Sequence, residues 1–104
     1  MKTRYIIKAT CYDKKSRIVS IGYNSYTRTH PLQKHFAELV GLYGKEYLHA
    51  EIDALLKAKG KPVYSIVIER YAQDGRPLLA KPCPICETAI RAFGVDHIYF
   101  TTGE

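Results

Sequence analysis

An α/β sandwich built on a mixed sheet of about four strands is predicted from the order of hydrophobic patterns along the 104 residues. Two strand-like runs, "RYIIKATCY" and "RIVSIGYNS", open the chain with only the polar "DKKS" between them, which reads as an antiparallel hairpin. Each later strand-like run follows a stretch of helical period, so the later strands are expected to be parallel neighbours joined by right-handed crossovers.

The elements follow in order. "YTRTHPLQKHFAELVGLYG" places Pro31 at a first helical turn, with Thr29 or His30 as the cap and a stop near Gly41 or Gly44. In "YLHAEIDALLKAKG", Leu48, Ile52, Leu55 and Leu56 share one helical face and Gly60 supplies the stop. "PVYSIVIERY" has the β-branched density of a buried central strand, and "AQDGRPLLAK" is a loop with a turn at Asp74–Gly75. "CPICETAIRAFG" then reads as a helix with Ile85, Ala89, Ile90 and Phe93 toward the core, and "VDHIYFTT" as a last strand. No repeat or low-complexity linker interrupts this series, so one domain is expected over 1–104.

Composition narrows the class. Apolar residues are 46% and charged residues 25% of the chain, which excludes general disorder. No apolar run is long enough to cross a bilayer and no signal-peptide core is present, so a cytoplasmic protein without a membrane partner is expected. Three cysteines cannot all pair within one chain, and a reducing compartment disfavours disulfides, so Cys83-x-x-Cys86 reads as metal or redox chemistry. Sixteen basic against ten acidic residues give a net charge of +6 and a pI near 9.3, which suits phosphate-bearing partners. The cations are scattered in sequence, among them Lys14–Arg17 and Lys57–Lys61, and no single arm or helix collects them.

Two junctions carry the chemistry, one entering "HAEIDALL" and one entering "PCPICETA". If strands and helices alternate, both helix N-termini lie at one edge of the sheet, where His49, Cys83 and Cys86 can converge. Three such ligands with an open fourth position are the catalytic form of a Zn²⁺ site, and the helix dipoles favour the thiolates that bind it. Glu51, two residues beyond His49, is then placed as a general acid/base beside an activated water. A structural zinc knuckle or a redox pair is the competing reading of the cysteines, and a helix-start carboxylate that of Glu51. Cys11 reads as a buried small hydrophobe, His97 as a packed or edge-strand histidine, and Glu46 and Asp53 as surface charges.

The "H-A-E" at 49–51 followed by "P-C-P-I-C" at 82–86 resembles the H-x-E…P-C-x-x-C signature of the cytidine and deoxycytidylate deaminase superfamily. The resemblance covers nearly the whole chain and implies that family's compact sandwich fold. It implies His49, Cys83 and Cys86 as zinc ligands and Glu51 as proton shuttle in the hydrolytic conversion of a cytosine base to uracil. It further implies that the Ala50 N–H faces the reacting oxygen, that the Pro82 carbonyl accepts from the substrate amino group, and that Asn24 of "GYNS" contacts the sugar or orients a loop. Thr29 and His30, with Arg28 and Lys34, form a candidate phosphate or sugar contact; a capped helix start is the alternative. The expected substrate is a free cytosine nucleotide or nucleoside, deoxycytidylate-like. The alternatives are cytosine or adenine deamination on single-stranded DNA or RNA, and a non-catalytic zinc module. Many relatives carry a helix before the first strand, so a homo-oligomer covering the bare sheet is expected.

Overall fold

The computed structural model describes residues 6–25, 27–42 and 47–102; Gly44 and Glu46 lie outside them. In chain order the elements are β1 (Ile6–Tyr12), β2 (Ile18–Tyr23), α1 (Pro31–Leu39), α2 (Ala50–Lys57), β3 (Ser65–Tyr71), β4 (Pro77–Leu78), α3 (Pro84–Ala92) and β5 (His97–Phe100). β1 sits between β2 and β3, antiparallel to both. β4 and β5 share the far edge of β3, β5 in parallel against Ser65–Ile68 and β4 antiparallel against Arg70 and Tyr71.

The expected sheet is thereby corrected. It has five strands rather than about four, and the later strands are not a set of parallel neighbours, because β3 runs antiparallel to β1 and to β4. The cause lies in β1, whose Ala9 and Cys11 are fully buried and which therefore takes a central position. The connection from β2 through α2 passes over β1 and delivers β3 to its other side, so the strands flanking that crossover are not neighbours. β4 comes from the Asp74–Gly75 turn: Ala72 N–H donates to Arg76 O at 3.0 Å and returns Pro77–Leu78 along β3. Two residues beginning with proline carry no alternation from which a strand could be read.

Residues alternate across the sheet. Ala9, Cys11, Ile66 and Ile68 join the core with Ile52 and Leu55 of α2 and Ile85, Ala89 and Ile90 of α3. The alternate positions Tyr23 and Tyr99 are about half exposed. Phe93, expected in the core, follows the end of α3 as its C-cap and is 45% exposed. His97 lies on the edge strand β5 with its ring stacked on Tyr64 at 4.4 Å.

Three contacts fix α2 to β2. A Cβ on Gly22 would meet Ala54 N at 2.3 Å and Ala50 O at 2.4 Å, so only glycine permits the observed approach of the helix. The Ser20 hydroxyl donates to Ala54 O at 2.7 Å. Asp53, expected at the surface, is 2% exposed; it accepts from Tyr23 N–H at 3.0 Å and pairs with Lys57 Nζ at 2.9 Å. The end of β2 and the first turns of α2 therefore hold a fixed distance, which places everything at the helix N-terminus.

Candidate metal centre

His49 and Cys83 occupy equivalent places, each the extended residue that precedes a helix. His49 has φ −84° and ψ 155° before α2, and Cys83 has φ −68° and ψ 167° before α3, with Pro84 fixing the first turn. Neither side chain caps its own helix. Both instead turn toward a common point with Cys86 of α3: His49 Nδ1 lies 3.2 Å from Cys86 Sγ and 3.6 Å from Cys83 Sγ. The three ligand atoms lie within 4.8 Å of one another, and no other His, Cys, Asp or Glu among the described residues joins that group.

This donor set fits zinc. Tetrahedral coordination with Zn–S about 2.3 Å and Zn–N about 2.0–2.1 Å separates nitrogen from sulfur by roughly 3.6 Å. The two observed nitrogen–sulfur distances fall close to that edge. Three protein ligands leave one position for a small molecule.

The electrostatics suit a cation. A hydrogen bond from the Cys86 thiol lowers the Cys83 thiol to about 4 despite partial burial. The same shared hydrogen bond, reinforced by burial, pushes Cys86 well above the ordinary thiol range. A divalent cation replaces that shared proton, because both sulfurs bind metal as thiolates. Glu51 is 6% exposed, and its burial raises its carboxyl above the usual range while the Cys86 thiol hydrogen-bonds to it.

Glu51, His49 and Cys83 face a cavity of about 360 Å³. Ile7, Leu48, Ile68 and Ala80 give it apolar walls, Asn24, Arg70 and Lys81 add polar and cationic groups, and Tyr47 and Leu79 lie at its exposed lip. Asn24 is tied to β1, since Ile7 N–H donates to its Oδ1 at 3.0 Å and its own N–H donates to Ile7 O at 3.2 Å. Ala50 and Pro82 are buried immediately before or beside the ligands. Thr29 and His30 are not in the cavity lining: Thr29 bridges to Tyr47, and His30 Nδ1 accepts from Leu32 N–H at 3.0 Å as the N-cap of α1.

Sequence reasoning missed Gln33. It is fully buried on α1, and its Oε1 accepts from His49 N–H at 3.2 Å, so α1 holds the backbone of the histidine ligand. Its spacing from Phe36 and Ala37 was the readable signal, a polar residue on a helix's core face. Arg70 and Lys81 were also missed as lining residues, because nothing in a strand or a loop lysine marks its direction.

Cys83→Ala is expected to lower bound zinc from about one equivalent toward none, because two donors cannot hold a four-coordinate ion tightly. Metal analysis of the purified variant checks this; retention of a full equivalent contradicts the assigned donor set.

The chain matches the family model for the cytidine and deoxycytidylate deaminase zinc-binding region over residues 4–102. No curated protein matched the sequence.

Proposed function

Because this chain belongs to the cytidine and deoxycytidylate deaminase zinc-binding family, whose chemistry is zinc-dependent deamination, we propose that it hydrolyses the amino group of a free cytosine nucleotide or nucleoside. The observation that carries this reading is the buried Glu51 carboxyl beside the His49–Cys83–Cys86 ligand cluster, in the wall of a cavity sized for one small ligand. A deoxycytidylate-like substrate is favoured by Arg70 and Lys81 in the lining, where they can meet a phosphate. The reading takes residues 1–104 as one catalytic domain. It places the protein in the cytoplasm, since zinc thiolates persist best where thiols stay reduced.

The residues divide the work. Bound zinc supplies a water whose pKa is lowered toward neutrality. Glu51 takes a proton from the attacking water, passes it to the ring nitrogen, and carries the second proton to the departing ammonia. Water plus cytosine thus become uracil plus ammonia, with no net proton change on the carboxyl. Its raised pKa suits both halves of that exchange, since a buried carboxyl gives up and accepts protons closer to neutral pH. Ile7, Leu48 and Ile68 exclude bulk water around the ring, and Asn24 holds the sugar. The Ala50 N–H, at the first position of α2, has no partner within its helix and serves the reacting oxygen. The Pro82 carbonyl accepts from the substrate amino group.

Incubation with cytidine, deoxycytidine, their monophosphates and the adenine counterparts tests the reading. Each deamination exchanges NH for O, a gain of about one dalton by mass spectrometry. Turnover of a cytosine monomer is expected; turnover of none of these contradicts the monomer reading. A polynucleotide substrate is the second reading, favoured by Tyr47, which is 55% exposed at the lip where a flanking base can stack. It requires uracil or hypoxanthine to appear in an oligonucleotide. Self-association belongs to the same proposal and rests on the half-exposed Tyr23 and Tyr99 of the sheet. Light scattering that finds only monomer at micromolar concentration removes it.

A further inference from the structure

We propose that a hollow at the opposite end of the sheet from the zinc ligands is a docking site for the sugar–phosphate backbone of a single-stranded nucleic acid. The hollow has a volume of about 540 Å³. Its rim brings Lys14, Lys15 and Arg17 of the β1–β2 turn together with Lys61 of the segment before β3. These are two of the cation groups that look scattered in sequence, and the fold gathers them around one concavity.

The balance of charge at the hollow is positive. Asp13 is its acidic lining residue, and that carboxylate is already engaged: it accepts from the N–H groups of Lys15 at 2.9 Å and Arg17 at 3.0 Å, and from Arg17 Nε at 2.9 Å. Those bonds hold its carboxyl below the usual range, so its charge is spent on the turn and on Arg17. Lys14, Lys15 and Lys61 are left to attract an anion from outside.

The form of the site favours a strand over a small anion. Its cations are exposed and on long stems, Arg17 at 71%. A tight site for one phosphate needs converging, fixed donors, whereas a polymer backbone gains affinity from counterions released along its length. Beyond Lys61 the chain leads through Val63 to Tyr64, which is 44% exposed and stacks its ring with His97. An unpaired base can stack on such a ring, while a duplex keeps its bases inside. The catalytic cavity is separate, because it takes Ile7 at one end of β1 and the hollow takes Asp13 beyond the other. At about 3.4 Å per residue that is roughly 20 Å.

The test uses the zinc-loaded full chain and a labelled oligothymidine, which offers no amino group to remove, so its result stands apart from the deaminase reading. Fluorescence anisotropy is recorded across a salt series. The double variant Lys14→Ala/Lys61→Ala takes one cation from each segment. It is expected to lower the salt slope by about 1.4 and affinity roughly twentyfold near ~0.1 M salt, from about 0.7 per phosphate contact on a single strand. Tyr64→Ala is expected to weaken binding about tenfold. The charge-matched Arg76→Ala/Arg91→Ala, on the β3–β4 turn and α3, is expected to weaken it less than threefold. Unchanged binding by the first double variant, or equal losses in both, overturns the site. Displacement of the oligonucleotide by equimolar inorganic tripolyphosphate overturns the strand assignment in favour of a small-anion pocket.

Discussion

Glu51→Gln is expected to cut turnover by about 10²–10⁴-fold while the protein keeps one equivalent of zinc. The amide matches the carboxyl in volume, so the buried position loses no packing. It cannot carry a proton between water and a leaving amine. Because Glu51 is not one of the three clustered ligand residues, its replacement leaves the donor set intact. Turnover and metal content are therefore measured on one preparation. A variant that retains zinc and full activity would falsify the proton-shuttle role and show that another group moves the proton. Loss of zinc together with activity points instead to Glu51 as a partner that holds the ligands.

How far the sequence foretold this site depends on which interactions a linear pattern can express. The His49-x-Glu51 and Cys83-x-x-Cys86 spacings are local, and both sit where an extended residue meets a helix, a junction marked by Pro84 and by the onset of helical period. Their convergence follows from the two helices starting at one edge, so the centre was legible. Strand neighbours were not. The strand–helix–strand order is equally compatible with adjacent parallel strands and with a crossover that skips one, and the choice was made by the burial of Ala9 and Cys11 in β1. Asp53 shows a second limit. Two residues past a catalytic candidate it reads as another helix-start acid, yet its acceptor role toward Tyr23 N–H exists only once β2 lies beside α2. The cations around the far hollow repeat the point, since Lys14 and Lys61 become neighbours only through the turn and the α2–β3 connection. His30 shows the reverse: its cap bond to Leu32 N–H was one of two readings the local sequence allowed, and the cavity lies elsewhere.

Gly22→Ala is expected to be the most damaging single-methyl change outside the metal centre. The added carbon would sit 2.3 Å from Ala54 N and 2.4 Å from Ala50 O, inside the contact distance of any real pair. Both are helix backbone atoms, so no side chain can rotate away and α2 itself must shift. Overpacking of this kind costs about 1–3 kcal/mol, and in a domain of this size each kcal/mol lowers Tm by about 4–8 °C. Ala54→Gly on the same chain should bring no rescue, because the obstruction is the peptide nitrogen and not the methyl group. The shift also reaches the chemistry. His49 precedes α2 while Cys83 and Cys86 belong to the start of α3, so displacing one helix stretches the nitrogen–sulfur edges that now stand at 3.2 and 3.6 Å. Zinc affinity should therefore fall with stability, read as earlier metal loss in a chelator titration at a temperature where the variant is still folded. A variant that melts like the parent shows that α2 has room to move away from β2. One that melts early but holds zinc as tightly as the parent shows that the ligands move together with the helix pair.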